Sequence, residues 1–497
     1  MACHAMLVFL VLVGVVLGCA GNAAHAQTPP WPENIQIVLD ETKPLEHPQG
    51  NRLPIYLWPA LNPGKLDDAR AEELVGLLKQ RGIGLISSWN HADMAASLAE
   101  CLPVARAQKK LGVPINVNAS GPMYSFFDGS EETAHMGADG KPFFDESFGT
   151  KTMGCPFRLE QRIAPIRQRM EAFADAYAKE NLPLGFVFTD WEIDGPLEWN
   201  RGWDASKKCT VCQKAFPQLN DFMAYQQELR RLRSRLQRLA YAEPMRDRHP
   251  QVLVGNYAMY PHNGYRYWYD YFEKFVDGQP ALVDQNARYR HWANDFEDSG
   301  YTFAMPVIYP WSWCWNWYDF QPGDYRWFYN GLLVASDAGQ CAPKNVPVIS
   351  FVHWTTVDIG LTERESGPLP GAEKAQQMSE SCYQELLWHM LLRGTDTFFL
   401  WCSPQENRKE VQMLYPVWAA AQAYGEFLDN GTPITFDTPK QPGPVVSGLR
   451  LGNRVLVRRS DFTDTREPVT ATVNGQTISI PRADGQCQII ELGATPK

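Results

Sequence analysis

Between residues 53 and 428 one pattern recurs eight times: a short run of apolar, β-branched or aromatic residues, then a helical pattern. The runs are "LPIYLW" (53–58), "IGLISSW" (83–89), "VPINVN" (113–118), "LGFVFTD" (184–190), "QVLVGNY" (251–257), "FAMPVIY" (303–309), "VPVISFVHW" (346–354) and "TDTFFLW" (395–401). The helical patterns cover 65–82, 92–111, 157–180, 216–241, 265–276, 324–336, 373–392 and 408–428, with Pro103 expected to interrupt the second. Runs that are apolar on both faces suit parallel strands covered by helices. Eight strand–helix units therefore predict an α/β fold, a closed (β/α)8 TIM-type barrel. An open doubly wound sheet is the alternative, but no G-x-G-x-x-G follows the first run. After Asn430 the texture changes to short alternating runs with turn signals: "VVSGLRL", "RVLVRRS", "VTATVNG", "QTISIP" and "QIIEL". These predict a small antiparallel, sandwich-like β-domain over 431–497 beside a barrel over 27–430.

The N-terminal residues 1–26 read as a signal peptide. "MLVFLVLVGVVLG" is a short apolar run, and Ala24-His25-Ala26 fits a cleavage site before Gln27. "VLGC", ending at Cys19, resembles a lipobox, which would anchor the chain by lipid. Export, to periplasm or exterior, is the expectation, with no membrane-spanning segment in the mature chain. Export permits disulfides, and nine cysteines follow Ala26. Cys209-Thr-Val-Cys212 is a lone C-x-x-C, and a zinc ribbon needs a second such pair. A local disulfide or loop staple is expected there, with a metal site the lesser alternative; no metal is assigned to the chain and no cofactor is expected. The net charge of −10 argues against a nucleic-acid partner.

The fourth run ends in acid: "LGFVFTDWEIDGP" places Asp190, Glu192 and Asp194 two apart. In a barrel of this kind chemistry sits at the C-terminal strand ends. Spacing of two puts Asp190 and Glu192 on one face while the chain stays extended. A helix start would also welcome acids. Yet Gly195-Pro196 breaks the chain at once, and no helical pattern is read for some twenty residues. Two adjacent carboxylates cannot both ionise freely, so one becomes a proton donor and the other stays an anion. That division suits glycoside hydrolysis. The seventh and eighth strand ends carry no acid to oppose the pair, and Asp284 and Asp358 fall in loops. A tight D-x-E pair without an opposing nucleophile suits substrate-assisted hydrolysis, in which the substrate's own N-acetyl oxygen attacks.

"FTDWEIDGPLEWNRGW" resembles the hyaluronidases, glycoside hydrolase family 56, whose fourth strand ends in an acid pair written D-W-E followed by a Pro, a Trp and N-W. Asp190, Trp191, Glu192, Pro196 and Trp199 match, as in a divergent bacterial-type member. "VGNYAMYPHNGY" is similar to the family's G-Y-Y segment, "MPVIYP" to its Y-P-S-I-Y strand, and "LLRGTDTFFLW" to its last strand. The resemblance implies Glu192 as general acid/base and Asp190 as the group orienting the acetamide. It implies Tyr257 as a substrate contact, Tyr309 beside the acetamido group and Trp401 as the pocket floor. Where the family continues with Trp-Arg-Pro, this chain has Ile193-Asp194-Gly195-Pro196. A cation is lost and an anion gained, which fits the mechanism better than a polyanionic substrate. Asp194 would bind a sugar hydroxyl or serve as a turn residue.

"YPWSWCWNWYDF" (309–320) carries four Trp in seven residues. Trp311 is expected to stack on a sugar in a polysaccharide cleft, with Trp354 a further candidate, while other indoles fill the core. The Arg-rich stretch 227–239 reads as an exposed barrel helix. His353 ends a strand beside Trp354 and is read as facing the pocket; His389 is read as a packed helix residue. Three functional classes remain open on sequence alone. They are a substrate-assisted hydrolase of an N-acetylhexosamine-containing polysaccharide or glycan, a two-carboxylate hydrolase using Asp284 or Asp358, and a carbohydrate-binding barrel without catalysis.

Overall fold

A computed structural model describes residues 30–123, 126–145, 153–191, 202–262, 275–276, 279–280, 293–310, 323–357 and 375–493. All eight apolar runs form strands: β1 (Ile55–Trp58), β2 in two pieces (Ile83–Gly84 and Ile86–Ser88), β3 (Ile115–Asn118) and β4 (Leu184–Thr189). They continue as β5 (Leu253–Asn256), β6 (Val307–Ile308), β7 (Ile349–Val352) and β8 (Thr397–Trp401). Neighbours in sequence pair in parallel from β1 to β5 and from β6 to β8. The segment before β6 closes the gap to β5. Thr302 N–H donates to Val254 O, and Met305 N–H to Met259 O, both at 2.8 Å. β8 then pairs in parallel with β1, Trp401 beside Trp58, so the eight strands form a ring. This is the (β/α)8 barrel.

Aromatic rings fill the barrel. Tyr56 stacks on Phe186 at 4.4 Å, Phe186 on Phe303 at 5.0 Å, and Phe351 on Phe399 at 5.5 Å. Glycines make room for them: a Cβ at Gly84 would meet the Tyr56 ring at 2.8 Å, and one at Gly255 the Phe303 ring at 2.7 Å. Either substitution would over-pack the interior.

The helices depart from the sequence reading in instructive places. The helix after β2, Met94–Lys110, runs through Pro103 rather than stopping there. Pro103, Val104 and Ala107 are buried, and this packing offsets the one backbone bond that proline removes. The region after β4 is not helix-free for twenty residues, since Gly202–Lys208 and Thr210–Ala215 are short helices. Neither carries a long apolar stripe, so neither was legible as a pattern. The Arg-rich helix, Phe222–Gln237, is not uniformly exposed: Arg230 and Arg233 are buried, Arg230 lying 3.6 Å from Asp295.

The five alternating C-terminal runs become antiparallel strands β9 (Pro444–Leu451), β10 (Arg454–Asp461), β11 (Val469–Val473), β12 (Gln476–Ile480) and β13 (Gln488–Glu491). β9 and β10 form a hairpin extended by β13, and β11 pairs with β12 across Asn474-Gly475, both at positive φ. Asn-Gly is the dipeptide such a turn requires. Val455, Val457, Val473, Ile478 and Ile480 share a small core. Buried polar groups fasten this unit to the helix Glu380–Leu391 that precedes β8. His389 places its ring nitrogens 2.7 Å from Ser447 Oγ and 2.9 Å from Ser460 Oγ. The Arg393 guanidinium donates to Ser447, Ser336 and Thr438 hydroxyls and to the Asp437 and Val446 carbonyls. Among the described residues no helix is long and apolar enough to cross a membrane. The expected signal peptide and Cys19 lie outside the described residues.

Candidate active site

Period two on β4 decides where its acid goes. Phe186 and Phe188 face the rings of Tyr56, Phe303 and Phe399 inside the barrel. Asp190, two further on, follows them to the C-terminal mouth, while Trp191, the next residue, is buried against Phe126 at 5.1 Å. Asp190 is partly buried over this aromatic interior. Burial pushes its carboxyl from 3.8 up to about 7. A raised pKa is not by itself a sign of function. Asp396, at the opposite end of β8, is also raised by burial, to about 6, but its carboxylate accepts from Val348 N–H at 2.7 Å and so has a structural task.

The end of β4 is stitched on both sides. On the β3 side, Asp190 N–H donates to Ser120 Oγ at 2.6 Å, and that hydroxyl donates to Asn118 Oδ1 at 2.5 Å. On the β5 side stands Asn256, fully buried. Its Oδ1 accepts from Thr189 Oγ1 at 2.8 Å and Trp191 N–H at 2.9 Å. Its amide donates to the carbonyls of Trp191 at 3.2 Å and Tyr257 at 3.1 Å. The side chain thus reads both backbone groups of Trp191 and holds the turn out of the strand. Ser120 and Asn256 were not singled out from sequence. A polar residue at the tip of an apolar run, as in "VGN", was the available signal.

Further round the mouth are the aromatic candidates. Tyr257 and Tyr309 are buried with their hydroxyls 2.9 Å apart. Tyr309 lies 6.2 Å from the partly exposed Trp401, and Trp401 lies 5.0 Å from His353. His353 Nδ1 is 2.7 Å from Trp401 O and 3.2 Å from Glu410 Oε1. Glu410 is fully buried and accepts from Trp354 N–H, Thr355 N–H and Thr355 Oγ1, each at 2.8 Å. It fixes the turn out of β7, and sequence reasoning missed it because it sits in a helical pattern where glutamate reads as solvent-facing. Trp354 is partly exposed, with its indole N–H donated to Met378 O at 3.0 Å. The structure therefore brings Asp190, Tyr257, Tyr309, His353, Trp354 and Trp401 to one end of the barrel. Glu192, Asp194 and Trp311, like Asp284 and Asp358, lie outside the described residues.

The C-x-x-C corrects an expectation. Cys209 and Cys212 are free thiols, not a disulfide, and they meet Cys155 and His135 in one buried cluster.

No family model matches the chain, and no curated protein matches it. Among solved structures, bee venom hyaluronidase aligns with 61% of this chain and 86% of its own, at 13% identity and a TM-score of 0.31. A glycoside hydrolase family 30 subfamily 8 xylanase from Clostridium acetobutylicum aligns over 91% and 95%, at 12% identity and a TM-score of 0.33. An alpha-amylase from Geobacillus thermoleovorans aligns over 88% and 96%, at 9% identity and a TM-score of 0.35. Likeness at this level assigns the chain to none of those families.

Proposed function

We propose that the chain is a glycoside hydrolase that cleaves a polysaccharide or glycan at an N-acetylhexosamine, with retention and with the substrate's acetamide as nucleophile. The observation that carries this reading is a carboxyl held at the mouth of the barrel, on the end of β4, with its pKa raised to about 7 by burial. Glu192 protonates the glycosidic oxygen as the acetamido oxygen attacks the anomeric carbon. The bond to the leaving group breaks and a cationic oxazolinium ring forms. Asp190 holds the acetamido N–H. Its ionised form is costly beside apolar rings alone but favoured once that positive ring lies against it, so the interaction strengthens toward the transition state. Glu192 then takes a proton from water, which attacks the anomeric carbon and restores the acetamide. The Tyr257–Tyr309 hydroxyl pair supports the acetamido oxygen, Trp401 floors the pocket, and Trp311 and Trp354 stack on neighbouring sugars. Asp194 binds a sugar hydroxyl.

The test begins with purified protein on a defined panel of polysaccharides. Against the substrate found, Glu192→Gln keeps shape but removes the transferable proton, and turnover should fall by about two orders of magnitude or more. A thiazoline mimic of the cyclic intermediate should inhibit. Near-normal turnover in Glu192→Gln excludes it as the acid. A glycosyl group trapped on Asp190, Asp284 or Asp358 by a fluorinated sugar converts the reading to conventional double displacement. Binding without turnover on every member of the panel leaves a carbohydrate-binding barrel.

A further inference from the structure

The excursion after β3 and the excursion after β4 meet at a point with no part in the proposed chemistry. His135 lies on a two-residue strand, His135–Met136, paired with Pro142–Phe143. Cys155 follows the bridge between Asp145 and Met153, and its N–H donates to Thr133 O at 2.7 Å. The glycine before it allows that approach: a Cβ at Gly154 would lie 1.9 Å from Thr133 O. Cys209 caps the helix Thr210–Ala215, and Cys212 sits in its first turn. The four side chains are buried, three of them completely sealed thiols, and one ligand atom from each lies within 4.8 Å of all the others. Cys155 Sγ and Cys212 Sγ are 3.4 Å apart, and Cys212 Sγ is 3.9 Å from His135 Nδ1.

We propose that His135, Cys155, Cys209 and Cys212 bind one zinc ion as a closed structural site. Zinc–sulfur bonds of about 2.3 Å in a tetrahedron place ligand atoms about 3.8 Å apart, and the separations of 3.4 and 3.9 Å here, with every pair within 4.8 Å, need only a small adjustment to reach that. Soft thiolates with one imidazole select zinc among common divalent ions. Two features of the surroundings suit a metal-bound set. Met136 N–H points at Cys209 Sγ at 3.3 Å, as a donor to a thiolate does, and Phe143 stacks on the His135 ring at 5.1 Å and fixes its plane. Four protein ligands leave no position for water, so the ion is structural rather than catalytic. It ties the β3 excursion to the β4 excursion on the side of the barrel that carries Asp190, and Thr210 Oγ1 adds a bond to Met136 O at 3.2 Å.

The test is the metal content of the full chain, purified without a metal-affinity step and washed with a mild chelator. About one zinc per chain is expected, and at most about a tenth of that in Cys155→Ser or Cys212→Ser. Should those variants fail to fold, His135→Cys keeps four zinc ligands and should retain the ion. Cobalt reconstitution of the wild-type chain should give the thiolate charge-transfer band and the visible bands of a tetrahedral centre. Strong chelation should lower Tm of the wild type. Zinc well below one per chain after growth with added zinc overturns the proposal. So does an intact mass two hydrogens lighter that maps to a disulfide among Cys155, Cys209 and Cys212. Neither result bears on glycan hydrolysis, which is read separately.

Discussion

Asp190→Asn should make the protein more stable and less active, and the gain in stability should depend on pH. The folded chain holds this carboxyl at about 7 against an ordinary 3.8, through burial. Between those values the folded state keeps a proton that the unfolded state has released. Stability contributed by the group is therefore intact below pH 4, declines as pH rises, and reaches its full loss above about 7. The difference between 3.8 and about 7 corresponds to about 4 kcal/mol as an upper bound. Asp190 is only partly buried, so water and relaxation reduce this, and about 2 kcal/mol is the expected size. For a barrel of this length that is on the order of 2 °C in Tm. Asparagine has the shape of the protonated acid and no charge to desolvate. The assay is thermal unfolding of both proteins across a pH series. The curves should coincide near pH 4 and separate steadily toward pH 8, with the variant the more stable. Equal gaps at both ends, or a variant less stable at pH 8, would refute the burial argument, because either result means the carboxylate is well compensated in the folded state. Turnover should fall in the same variant, placing the residue where stability has been given up for function.

Asn256→Ala removes one buried amide that serves Thr189, Trp191 and Tyr257 together. About 2–4 kcal/mol of stability should be lost, with turnover falling more than substrate binding; unchanged unfolding would show that the turn after β4 holds itself. Arg393→Met should loosen the C-terminal strands, since five acceptors lose their donor. Limited proteolysis should cut near 431–444 sooner than in wild type while the barrel fragment persists, and an unchanged rate of cutting would contradict this.

The eight barrel strands were legible because each must be apolar on both faces, and few other folds need eight such runs in order. Asp190 was legible because charge at the end of a buried run costs energy that packing does not return. The residues that hold it were not. Asn118, Ser120 and Asn256 are small polar groups at strand tips, common in any loop, and only the barrel's closure sets them around one turn. Glu410 was hidden by its helical periodicity. The Cys/His cluster was hidden by distance: His135 and Cys212 are separated by 77 positions, and one C-x-x-C without its partners reads as a staple. Pro103 failed as a stop signal because burial of its neighbours outweighs the propensity of one residue.

The seam between β8 and β1 sets the order in which this chain can mature. Thr397 Oγ1 donates to Pro54 O across 343 positions, and Trp58 aligns with Trp401. At about 5–20 residues per second, β1 leaves the ribosome some 20–70 s before its second neighbour exists. Through that interval one edge of β1, with Tyr56 and Trp58 on it, has no strand to pair with, and the ring of aromatic side chains lacks Phe399. No shorter fragment from the N-terminus can complete the ring. The nascent chain must be kept from pairing with other chains until its last barrel strand arrives, and a truncation before 401 should yield aggregate rather than a smaller folded domain.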